Sequence, residues 1–123
     1  MYEKDFRISY LLDYYGNILT DKQKDAVDLY YNADLSLAEI AEHINITRQG
    51  VRDAIKHGEQ TLLELEGKLG VAENTEKYRQ ALDNIRKYAE NIKYSKSNIN
   101  YYRILDENVD NILSSIQNIL SDE

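Results

Sequence analysis

Hydrophobic positions recur three and four residues apart along most of this chain, and there is no sustained Val/Ile/Thr alternation of the kind strands show. Phe6, Ile8, Tyr10, Leu11, Leu12, Tyr14, Tyr15 and Ile18 leave so little of a first helix polar that it needs two neighbours rather than one. Gly16-Asn17 supplies the residue types that end a helix in left-handed geometry. Thr20-x-x-Gln23 opens a second helix as a capping box, and Ala26, Val27, Tyr30 and Tyr31 carry its apolar side to Asn32. Ser36-x-x-Glu39 repeats the device, followed by Leu37, Ile40, Ala41 and Ile44 at helical spacing.

Asn45-Ile46-Thr47 breaks that period with a residue that tolerates left-handed backbone and a further capping hydroxyl. Two short helices joined by a tight turn are the result. Small Ala41 allows a close crossing, Ile44 and Ile46 plug the angle, and Val51, Ala54 and Ile55 continue the apolar side: the packing of a helix-turn-helix. The second helix runs on, because Val51, Ile55, Gly58, Leu62, Leu65 and Leu69 keep a seven-residue repeat, predicting one helix from Arg48 to Lys68. Gly58 lies in the stripe despite its poor helix propensity, so the spacing predicts close approach of another backbone there.

Gly67 and Gly70 mark a boundary between an N-terminal segment, residues 1–70, and a C-terminal one, residues 71–123. In the second, Asn74 or Thr75 can cap a helix with the stripe Tyr78, Leu82, Ile85, Ala89 and Ile92. A polar break at Ser95-Lys96-Ser97-Asn98 precedes a last helix carrying Tyr102, Leu105, Val109, Ile112, Ile116 and Ile119, flanked by Leu113 and Leu120. The predicted fold class is all-α, a helix-turn-helix bundle followed by an antiparallel helical hairpin. The eight apolar residues of the last helix exceed what one partner stripe covers, and we expect them to hold a homodimer together.

Composition narrows the chemistry. No proline and only five glycines occur among 123 residues, as helices require, and the absence of cysteine excludes disulfides and thiolate metal sites. No charged-then-apolar leader or long apolar run is present, so a cytoplasmic protein without membrane contact is expected. The net charge of −7 disfavours a general affinity for nucleic acid, yet Thr47 to Lys56 sets Arg48, Arg52 and Lys56 against Asp53 alone. Thr47, Arg48, Gln49, Arg52 and Lys56 are therefore the candidate residues for double-stranded DNA, with side chains suited to guanine edges, adenine edges and phosphate. Charges on a helix are usually just solvated; the capping box, Ala41 and the Asn45 turn lift the nucleic-acid reading above that. Gly50 counts slightly against it by weakening the first turn.

His43 and His57 stand fourteen residues apart with no second ligand at metal-binding spacing, and no nucleophile elbow or phosphate loop is present. We expect no metal, no cofactor, no catalytic residue and no enzyme activity. Eleven tyrosines suggest base stacking. Tyr10, Tyr14, Tyr30, Tyr31, Tyr78 and Tyr102, however, lie within or beside apolar stripes and are expected to pack.

Leu11-Leu12-Asp13-Tyr14-Tyr15-Gly16, Leu19-Thr20-Asp21-Lys22-Gln23, Leu29-Tyr30-Tyr31, Asp34 to Ala41 and Thr47 to Lys56 together resemble the YlxM family of helix-turn-helix proteins, encoded in many Firmicutes beside signal-recognition-particle genes. The reading unit is also similar to region four of bacterial sigma factors. The resemblance implies an all-helical protein with a regulatory role in or near the signal recognition particle pathway; contact with DNA is expected from Thr47, Arg48, Gln49, Arg52 and Lys56 themselves. The alternative is a protein- or ribonucleoprotein-binding adaptor of that particle's system, using the same helical scaffold without reading bases.

Overall fold

Three helices in the N-terminal half start on a hydroxyl that accepts from their own first turn. Thr20 accepts from the Gln23 N–H (3.2 Å), Ser36 from Glu39 (3.1 Å) and Thr47 from Gly50 (2.9 Å). Gln23 and Glu39 reach back to the cap amides of Thr20 and Ser36, completing both capping boxes. In this computed structural model, which describes residues 3–121, all regular structure is helical. Residues 1–2 and 122–123, at the ends of the two expected segments, lie outside the described residues. The order is α1 (Arg7–Tyr15), a 3₁₀ turn (Gly16–Ile18), α2 (Asp21–Tyr31), α3 (Leu37–Ile44), α4 (Arg48–Leu69), α5 (Val71–Tyr94) and α6 (Tyr101–Ser121). The chain divides into two compact units, residues 1–72 and 73–123.

In the first unit α1, α2 and α3 all pack on α4. Ile8, Val27, Ile40, Val51, Ile55 and Leu62 are the largest fully enclosed side chains of its core. α1 lies against both α2 and α4, the two neighbours that its pattern demands, but Phe6 and Ile18 stay exposed because they fall outside the helix proper. Gly16 corrects the expected left-handed stop. Its φ is −55°, and it starts the 3₁₀ turn instead; a Cβ there would sit 3.2 Å from Leu12 Cδ1, so space, not backbone freedom, calls for glycine.

The start of α5 departs from the sequence reading as well. Gly70 ends α4 with a φ of 62°, and α5 begins at once at Val71 rather than at Asn74 or Thr75. The caps come from far along the chain. The Tyr15 hydroxyl accepts from the Val71 N–H (3.1 Å) and donates to Glu66 Oε1 (2.6 Å), and the same carboxylate oxygen accepts from the Ala72 N–H (3.0 Å). These bonds stand in for a local capping side chain.

Tyr31 makes a similar pair, donating to Glu59 Oε1 at 2.9 Å. Both phenols are held above the usual tyrosine pKa, first by burial and then by the carboxylate that accepts their proton. Such groups stabilise the fold below their unfolded pKa of about 10, and the stabilisation is lost as pH rises through the folded value. The melting temperature should therefore fall above about pH 10. A Tyr15→Phe/Tyr31→Phe variant should melt lower at neutral pH but lose less on going alkaline; an alkaline decline as steep as the parent's would refute this.

In the second unit α5 and α6 run antiparallel. Ile92 O accepts from both the N–H and the hydroxyl of Ser95, and Asn98 O accepts from the Tyr101 N–H, so the intervening turn is tightly tied. Asn91 Nδ2 donates to Asn108 Oδ1 (3.2 Å), and Asn108 Nδ2 to Ile104 O (2.7 Å), which pins the register. Among the described residues of this unit only Ser95 and Asn108 are buried; no apolar side chain is. The single apolar stripe expected on α6 is in fact two. Leu105, Ile112 and Ile119 are half-buried on the side turned to α5, while Tyr102, Val109, Leu113, Ile116 and Leu120 are exposed beside them. Tyr78 and Tyr102, expected to pack, are exposed too, the latter by 80 %.

Candidate nucleic-acid interface

The turn between α3 and α4 is built by Asn45, whose φ of 59° and ψ of 48° are left-handed, and by the Ile46 N–H donating to Ala41 O at 3.1 Å. Ala41, Ile44, Ile46 and Ala54 are half-buried around it against the core, while Ile40, Val51 and Ile55 are enclosed. With that side of α4 buried, helical geometry fixes which side is offered to solvent.

Thr47, Arg48, Gln49, Arg52 and Lys56 are all exposed, and the structure brings them together over the first turns of α4. Arg48, Arg52 and Lys56 follow one another at four-residue steps, one edge of a helix. None of the three has an ion-pair or hydrogen-bond partner among the described residues, whereas Lys4, Arg7, Arg79, Arg86 and Arg103 are all paired. Thr47 spends its oxygen on the Gly50 N–H and keeps a hydroxyl proton to donate. Gly50 itself is half-buried; a Cβ there would lie 3.1 Å from Thr47 Oγ1 and 3.5 Å from Ile46 Cδ1, so its lack of a side chain makes room for the cap and the plug.

Gln49 is not idle. Its Nε2 donates to Asp53 Oδ1 at 3.0 Å, which ties the amide to the only carboxylate between Thr47 and Lys56. Sequence reasoning missed this pair, although glutamine and aspartate four apart on a helix are a readable signal. At the start of α3, Glu39 is held below the usual carboxylate pKa, chiefly by the backbone hydrogen bond from Ser36 and then by the Ser36 side chain, so the capping box stays charged. Among the described residues no group of three His, Cys, Asp or Glu side chains could hold a metal ion, and no helix is long and apolar enough to cross a membrane.

Residues 2–102 match the UPF0122 family, described as "Putative helix-turn-helix protein, YlxM / p13 like". A UPF0122 protein of Clostridium kluyveri is 40 % identical over 114 residues, covering 93 % of this chain and 99 % of its own. One from Acetivibrio thermocellus is 39 % identical over 116 residues, covering 92 % and 99 %. A third, from Desulforamulus reducens, reaches 54 % over 69 residues, or 55 % of this chain and 59 % of that one.

Proposed function

The chain belongs to the UPF0122 family of YlxM/p13-like helix-turn-helix proteins, and from that premise we propose that it is a DNA-binding regulatory protein which lays α4 against duplex DNA. The observation that carries this is the row of three exposed cations, without a partner among the described residues, on the second helix of the helix-turn-helix. Arg48 and Gln49, in the first turn, are placed to reach base edges; Arg52 and Lys56 follow as phosphate contacts. Three cations per head bind weakly, so the active species is a cytoplasmic homodimer with two heads, joined through α6. It regulates, or acts within, the signal recognition particle pathway that the resemblance implies.

Two heads with three cations each make roughly six phosphate or base contacts, so log affinity for duplex should fall with log salt at a slope near −5, taking about −0.9 per phosphate neutralised. Retention of genomic duplex fragments by the purified protein, measured across a salt series, tests this. Steep salt dependence supports it. The net charge of −7 favours a second reading, an adaptor that binds a component of the particle without reading bases. Feeble retention that ignores salt, together with capture of the particle's protein or RNA, would replace the first reading with the second.

A further inference from the structure

The hairpin of α5 and α6 has an apolar face that none of its described residues covers. Tyr78, Leu82 and Ala89 on α5 lie exposed, and Val109, Leu113 and Ile116 on α6 continue the face; Leu82 is 66 % and Leu113 58 % exposed. Between the helices runs a cleft walled by Tyr78, Leu82, Ile85, Ile116, Ile119 and Leu120. A pair of helices that encloses no apolar side chain lacks the burial that stabilises amphipathic helices of this length.

The edges of this face carry opposite charge. Arg79, Arg86 and Lys93 stand seven residues apart along the outer edge of α5, and seven residues return to the same edge of a helix. Asp106 and Asp110, one turn apart, line the outer edge of α6, where Arg103, seven residues before Asp110, is paired with Glu107 of its own helix (3.0 Å). All five are exposed, Arg79 and Arg86 being ion-paired to Glu76 (3.5 Å) and Asp83 (3.2 Å) of their own helix, and the two edges point away from each other within one hairpin. The Asn91–Asn108 bond sets the levels: Lys93 stands at the height of Asp106, and Arg86 within a turn of Asp110.

We propose that the apolar face is covered by the same face of a second copy, forming a four-helix bundle in which α5 of each chain lies beside α6 of the other. The charges choose this arrangement. With the two-fold axis along the helices, the cationic edge of one copy meets the acidic edge of its partner on both sides. With the axis across them, cation would meet cation and acid meet acid, which opposes association. The chosen symmetry brings both α5–α6 turns to one end of the bundle. This deepens the dimer of the proposed function and rests on it only for the presence of a second copy.

Two measurements test it. The chain has no cysteine, so Ser97→Cys places a single spin label in the exposed turn. The label-to-label distance should be that of a bundle's width, within about 25 Å for helices packed 8–10 Å apart; a distance near the hairpin's length, about 36 Å or more at 1.5 Å per residue, would overturn the symmetry. Arg86→Glu/Lys93→Glu should weaken self-association in sedimentation by about tenfold or more. Adding Asp106→Lys/Asp110→Lys to the same chain should restore it. A charge-reversed protein that associates as tightly as the parent, or a parent that sediments as a monomer at about tens of micromolar, would sink the proposal. DNA enters neither readout, so a failure to retain duplex fragments leaves the bundle standing.

Discussion

Gly58→Ala is expected to lower the stability of the N-terminal unit, while Gly67→Ala, nine residues along the same helix, raises it. Both replacements gain about 1 kcal/mol of helix propensity. They differ in what the new methyl meets. At Gly58, which is buried, a Cβ would lie 2.7 Å from Val27 Cγ2 and 3.7 Å from Gln23 Cβ and Leu19 Cδ1. Val27 is fully enclosed on α2, and a β-branched side chain has little rotameric freedom with which to yield. The helices must then part, and overpacking of this kind costs about 1–3 kcal/mol. The net loss should be on the order of 1 kcal/mol for alanine, and Gly58→Leu should prevent the unit from closing. At Gly67 nothing lies within 4 Å and the full gain is kept. Thermal melts of the two alanine variants beside the parent decide the matter: a Gly58→Ala protein that melts with the parent or above it would refute the packing account.

The same glycine shows what the sequence could and could not tell. Its place in an apolar stripe announced that something comes close, because a poor helix former is kept in a helix interior only for space; that the intruder is a valine side chain rather than a backbone needed coordinates. Capping boxes, the αL asparagine and the extent of α4 were legible because each depends on residues within a few positions of one another. The start of α5 was not, since its caps are Tyr15, 56 residues before Val71, and Glu66 across the Gly70 break. Nor was the division of the α6 apolar set. Residues spaced three and four apart describe a stripe of some width, and only the position of α5 decides which of them half-bury and which remain exposed. On the candidate site, charge and spacing named the exposed cations of α4, whereas the hold of Asp53 on Gln49 emerged from the structure.

That hold leads to the second large effect. Arg48→Ala/Arg52→Ala should remove most retention of duplex DNA without lowering the melting temperature, because both side chains are exposed and touch no partner among the described residues. An arginine that reads guanine in bidentate fashion contributes about 1–3 kcal/mol, and each phosphate deprived of its cation flattens the salt slope by about 0.9. Across two heads the variant's slope should fall from near −5 to about −2. Asp53 acts in the opposite sense, as a carboxylate beside the contact edge that repels phosphate. Asp53→Asn deletes the charge while leaving an oxygen for Gln49 Nε2, so affinity should rise at low salt and return to the parent's once the field is screened, on the order of 1 M salt. Asp53→Ala also releases the Gln49 amide. If that amide reads adenine, the alanine variant gains further on some fragments and not on others, and the asparagine variant gains on all alike. Fragment retention by the parent and the three variants across a salt series separates these outcomes. An arginine double variant that binds as the parent does, or an Asp53→Asn protein with no gain at low salt, would remove α4 as the DNA-contacting helix.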